Sequence, residues 1–118
     1  MTPVRVFHCD DSAAFRLLVR EMLYELGGDV EIVGHAANVE DAVTALPDAA
    51  PDVVLLDLFA GATEDELVSR LRPAAPQARF VVYSGMPSRT GETADEHLHK
   101  GAEFEELHRV ITEVAGRA

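Results

Sequence analysis

The chain has 118 residues, 47% hydrophobic and 26% charged, the balance of an ordinary globular domain long enough to bury a core without staples. Its 21 acidic and 10 basic residues give a formal net charge of −11, which argues against binding nucleic acid and suits a cation or a basic partner surface. No apolar run approaches the ~18 residues of a membrane span, and the single cysteine, Cys9, excludes an internal disulfide.

Val4 to Cys9 (VRVFHC) is apolar-rich with β-branched and aromatic residues and predicts a strand. A helix follows, because Phe15, Leu18, Val19, Met22, Leu23 and Leu26 recur at helical spacing. Asp11 or Ser12 can cap it, and Gly27-Gly28 stops it. Residues 30–33 predict a second strand. Asn38 then caps a helix with Val39, Ala42, Val43 and Leu46 on one face, broken at Pro47. Val53 to Leu56 is apolar throughout, as a strand buried on both faces must be, and it ends in Asp57. Thr63-Glu64-Asp65-Glu66 is a capping box opening a helix that Pro73 ends. Residues 80–83 predict a fourth strand ending in Ser84-Gly85. Residues 85–96 (GMPSRTGETADE) allow no helical face and predict a loop or at most one turn. Residues 97–99 predict a short fifth strand ending at Lys100. The last helix carries Phe104, Leu107, Val110, Ile111 and Val114 on one face, with Glu103, Glu105 and Glu106 as acids favoured at its start.

Alternation of this kind predicts one α/β domain over residues 1–118, a parallel sheet with helices on both faces. In such a sheet, ligands bind beyond the carboxyl ends of the strands. Those ends carry Asp10-Asp11, Asp57, Ser84 and Lys100, the only lysine among ten basic residues. Three gathered carboxylates repel one another unless a cation sits among them, and an all-oxygen donor set suits Mg²⁺ or Mn²⁺. A carboxylate can also act as a nucleophile towards phosphorus, and Lys100 and Ser84 are the groups that would neutralise the charge so gained.

The acidic pair with Ser12 and the Phe15-Arg16 helix, Asp57 after VVLL, Ser84-Gly85 after FVVY, and Lys100 closing HLHK resemble the receiver domain of response regulators in two-component signalling. The resemblance covers almost the whole chain. It implies a single doubly wound, flavodoxin-like sheet of five strands in the order 2-1-3-4-5. It implies that Asp57 accepts a phosphoryl group from a sensor histidine kinase or phosphotransfer protein. Asp10, Asp11, Asp57 and the main-chain carbonyl of Phe59 would hold the metal, and Ser84 and Lys100 the phosphoryl. A downstream protein would read a face made of the fourth helix, the fifth strand and the last helix. Such a chain is a cytoplasmic signalling module, neither membrane-bound nor DNA-binding, and it catalyses only its own phosphorylation and dephosphorylation.

The chain departs from that pattern in three places. The Met-Pro and Asp-Gly that commonly follow the phosphoacceptor are missing. Phe59 and Met86, which border the phosphoryl in this family, are apolar and cannot orient an attacking water, so slow hydrolysis is expected, faster in Phe59→Asn. Residues 85–96 are too short for the usual fourth helix, which is therefore expected to be short or missing, and the segment is expected to order on phosphorylation or partner binding. The position of the switch aromatic is His97, and Gly101 replaces the usual proline. The chief alternative is a pseudo-receiver that signals without phosphate. A phosphatase of the Asp-x-Asp type does not fit Asp10-Asp11-Ser12, and no glycine-rich nucleotide loop follows the first strand. The five histidines show no zinc-type spacing, and Cys9 reads as a small buried hydrophobe.

Overall fold

A computed structural model describes residues 2–58, 62–85 and 93–117. In chain order the elements are β1 (Val4–Cys9), α1 (Ala13–Glu25), β2 (Val30–Ala36), α2 (Val39–Ala49), β3 (Val53–Leu56), α3 (Glu64–Leu71) with a 3-10 turn (Arg72–Ala74), β4 (Arg79–Ser84), β5 (Glu96–His99) and α4 (Phe104–Ala115). All strand pairs are parallel and the sheet runs β2-β1-β3-β4-β5. The chain first leaves the middle of the sheet one way and then the other, which places the switch in strand order between β1 and β3.

Two cores sandwich the sheet. On one face Phe7, Cys9, Val54, Leu56 and Phe80 pack beneath Leu46 of α2 and Leu67, Val68 and Leu71 of α3. On the other Val6, Val53, Leu55, Val81 and Tyr83 meet Val19 and Leu23 of α1 and Leu107, Val110, Ile111 and Val114 of α4. β3 has no exposed residue, in keeping with its unbroken apolar run. Ser12 caps α1 by accepting from the Phe15 amide, Asn38 caps α2 through the Asp41 amide, and Thr63 and Glu66 form the reciprocal box that opens α3.

Four expectations need correcting. β2 continues past Val33 to Ala36, because Gly34 and His35 still pair with Phe7 and His8 of β1. Gly34 is needed there: a Cβ would stand 2.9 Å from the Phe7 ring. α2 runs through Pro47 to Ala49, since a proline in the last turn removes one donor without ending the helix, and the Ala50 amide still donates to Leu46 at 3.0 Å. Leu18 lies 43% exposed beside exposed Leu17, so the buried stripe of α1 is narrower than its sequence suggests. β5 begins at Glu96, one residue early. Between β4 and β5 the described residues contain no helix; most of the segment expected to order on phosphorylation, residues 86–92, lies outside the described residues.

Candidate functional site

Three main-chain bonds carry the sheet ladder just past the strand ends. Asp10 N donates to Ala36 O at 3.0 Å, Asp57 N to Cys9 O at 2.9 Å, and Lys100 N to Ser84 O at 2.9 Å. Three site residues are thereby set on one rim by backbone, before any side chain is placed. Asp10 is fully buried. Its Oδ1 accepts from the Ser12 amide at 2.9 Å, and its carbonyl accepts from Arg16 Nη1 at 2.5 Å. Asp11 stays exposed beside it.

Lys100 Nζ lies 2.6 Å from Asp10 Oδ2 and 3.4 Å from Asp57 Oδ1. The shorter contact is an ion pair set off the hydrogen-bonding direction. The ammonium also sits 4.6 Å above the Phe15 ring, whose face favours a cation. Asp10, Asp11 and Asp57 each bring a carboxylate oxygen within 4.8 Å of the others. One ammonium does not balance three such groups, and the Asp57 carboxyl is held above its ordinary pKa, by burial first and by Asp10 next, against the pull of Lys100. Hard oxygen donors with an uncancelled negative charge fit Mg²⁺ or Mn²⁺.

Ser84 ends β4, buried, on the same rim. Phe59, with its carbonyl, and Met86 lie outside the described residues. His97 does not join the cluster. Its Nε2 is 2.6 Å from Oε1 of Glu64, at the start of α3. Glu64 is only 2% exposed, and its other oxygen accepts from Ala94 N at 2.9 Å. Thr93 adds a bond to Asp65 at 2.8 Å, and Arg72 one to the Thr93 carbonyl at 2.8 Å. The start of α3 is thus tied to the chain entering β5.

Sequence reasoning missed two residues. Glu64 reads as an ordinary helix-start acid, and only the fold brings it to His97, 33 positions away. His8 reads as one residue of an apolar strand. It is 1% exposed, packs against the Phe15 and Tyr83 rings at 6.3 Å each, and holds Nε2 3.8 Å from Asp10 Oδ2. Burial pushes its pKa down to about 4; the Asp10 charge opposes this, and Lys100, Arg16 and His35 reinforce it. The Tyr83 hydroxyl is pushed up to about 12, chiefly by burial and then by Asp10. The Cys9 thiol, raised to about 12 by burial, is the inert hydrophobe expected.

A five-stranded parallel sheet in this order, with carboxylates and one lysine along its carboxyl edge, defines a doubly wound receiver-type domain. No family model matches the chain. It is 31% identical over 103 residues, 84% of its length, to a protein-glutamate methylesterase/protein-glutamine glutaminase of Methanosarcina acetivorans. The receiver domain of the response regulator NarL from Mycobacterium tuberculosis superposes with a TM-score of 0.82 at 25% identity, covering 99% of this chain and 100% of that one. A structure of the histidine kinase ThkA in complex with the response regulator TrrA matches with a TM-score of 0.77 at 26% identity, over 94% of this chain and 97% of that one. The chain belongs to the response-regulator receiver domains of two-component systems. It spans between about a quarter and about half the length of the curated relatives it matches. No described helix is long and apolar enough to cross a membrane.

Proposed function

We propose that the chain, as one receiver domain, accepts a phosphoryl group on Asp57 and thereby switches a protein-binding face. The observation that carries this reading is the Lys100 ammonium bridging Asp10 and Asp57, with Asp11 in the same 4.8 Å cluster. An oxygen of Asp57 attacks the phosphorus of a phosphohistidine; the P–N bond breaks and its electron pair leaves on the donor imidazole. Asp10, Asp11 and Asp57 and, as the resemblance implies, the Phe59 carbonyl would hold Mg²⁺ or Mn²⁺, which would offset the charge of the carboxylates and the incoming phosphoryl. Lys100 turns from Asp10 towards the new oxygens, and Ser84 donates to them from the end of β4. His97 answers that movement by giving up Glu64, which changes the surface of β5 and α4. A sensor histidine kinase or phosphotransfer protein is the donor, a reading supported by the likeness to a response regulator seen in complex with its kinase. The chain acts on no substrate but itself.

Intact-mass measurement with Mg²⁺ and acetyl phosphate tests this. One added phosphoryl group is expected in the wild type and none in Asp57→Asn. In amide NMR spectra, beryllofluoride should shift Asp57, Ser84 and Lys100 in the wild type alone. A folded wild type silent in both assays would overturn the proposal.

A further inference from the structure

On the α1 side of Asp10 lies a cavity of a different character. It has a volume of about 120 Å³, and His8, Arg16, Arg20 and His35 line it, with Leu17 and Ile32 as apolar wall. Among the described residues none of its lining side chains is acidic, in a chain whose formal charge is −11.

A β-bulge builds it. Val6 pairs with Ile32, but the next pair is Phe7 with Gly34, so β2 carries one extra residue at Val33. The extra residue reverses the alternation of β2. His35 consequently pairs with His8 and shares its face of the sheet, while Ala36 joins the opposite core. Without the bulge His35 would point towards α2. Re-aiming a side chain is a common use of such an irregularity. α1 completes the wall, because Ala13, Arg16 and Arg20 fall on one helix face.

These groups have spare hydrogen-bonding capacity. His8 is 1% exposed and neither ring nitrogen has a hydrogen-bond partner among the described residues. Arg20 makes no hydrogen bond or ion pair among the described residues. Arg16 uses Nη1 on the Asp10 carbonyl, which leaves the rest of its planar fork. Buried polar atoms left unpaired are costly unless a water or ligand answers them. The cavity holds roughly four waters at ~30 Å³ each, about the room a small oxyanion needs. Guanidinium forks match carboxylate and phosphate oxygens, whereas two arginines oppose a cation between the two imidazoles.

We propose that this cavity binds a small oxyanion, a free phosphate or a small carboxylate, gripped by Arg16, Arg20 and His35 with His8 at its base. The site does not depend on any role of Asp57. Arg16 also holds the Asp10 carbonyl, so an occupant gripped by Arg16 is one side chain away from the backbone of the neighbouring carboxylate cluster.

The test uses the full chain in metal-free neutral buffer at constant ionic strength. Inorganic phosphate, acetate and chloride are titrated separately while the histidine ring signals and the Ala13 and Arg16 amides are followed by NMR. Saturating shifts at His8 and His35 with phosphate or acetate, weakened about tenfold in Arg20→Gln and in His35→Gln, are expected. Saturation by phosphate alone assigns a phosphate ligand; saturation by acetate alone assigns a carboxylate. Shifts that fail to saturate, that chloride reproduces, that centre on Lys100, or that Arg20→Gln leaves unchanged overturn the proposal. In a separate titration, Zn²⁺ that binds at His8 and His35 while neither anion does also overturns it.

Discussion

Asp10 divides the carboxyl rim of the sheet into two unlike halves. Towards β3 stand Asp57 and exposed Asp11, answered by one ammonium. Towards β2 stand two imidazoles and two guanidinium groups, with no acid lining their cavity among the described residues. The same short strand, β1, leads to both halves: His8 within it faces one, and Asp10 just past its end serves the other. Local charge on this domain is set by which side chains the ladder places at adjacent strand ends. The net charge of −11 describes neither half.

The largest effect should come from removing Lys100, the one cation on the acidic half among the described residues. Lys100→Met leaves Asp10 fully buried without its ion pair, and stripping one partner from a buried pair costs about 3–5 kcal/mol. Urea unfolding in EDTA should show most of that loss, and Mg²⁺ should restore part of it. An unchanged midpoint would mean that Lys100 does not neutralise Asp10 in solution.

The basic half should reveal itself through pH. His8 is lowered from 6.5 to about 4, so between these values the unfolded chain binds more protons than the folded one. Stability is therefore fully present above pH 6.5 and lost as pH falls towards 4. At about 1.4 kcal/mol per pH unit the loss is about 3 kcal/mol. His8→Leu should flatten this slope over the same range, measured by unfolding at a series of pH values. A slope identical in the variant would assign the acid sensitivity to other groups.

His8 stands 3.8 Å from a buried carboxylate, beyond hydrogen-bond range, whereas His97 makes a 2.6 Å contact with buried Glu64. His97→Ala leaves that Glu64 oxygen unanswered and should destabilise by about 1–3 kcal/mol. The loss should largely disappear in a Glu64→Leu background, where no carboxylate needs a partner. Equal losses in both backgrounds would show that the contact carries no coupling.

These contrasts also mark what could be read before the fold was known. The acidic half was legible because its members follow strand-like segments: VFHC before Asp10, VVLL before Asp57, and the shorter HLH before Lys100. Elements with strong local signals, such as the Thr63–Glu66 box and the α4 stripe, also fell where expected. The strand order came from the family resemblance, since periodicity fixes strands but not their neighbours. The basic half was illegible, because His35 reaches His8 only through an extra residue at Val33, and alternation alone sends it to the opposite face. Glu64 was hidden for a related reason: a helix-start acid looks solvated until a strand 33 residues away lays an imidazole on it. Pro47 misled as a breaker because one donor lost in a last turn is tolerated, and β2 outran its apolar residues because Gly34, lacking a Cβ, fits beneath Phe7.

The smallest predicted effect bears most directly on the imbalance within the acidic half. Asp57→Asn removes one of three crowded carboxylates while keeping the shape of the side chain. Burial and Asp10 already disfavour the charged form of Asp57, and the Lys100 contact it forfeits, at 3.4 Å, is the longer of that lysine's two. Without metal the variant should therefore be more stable than the wild type, by on the order of 1 kcal/mol at an effective dielectric near that of a protein surface. Adding Mg²⁺ should reverse the order, since the wild type regains a ligand charge that the variant lacks. Thermal unfolding in EDTA and in Mg²⁺ would read both signs. A variant less stable than the wild type in EDTA would mean that Lys100 already balances the cluster, and the contrast between the two halves of the rim would then lose its electrostatic basis.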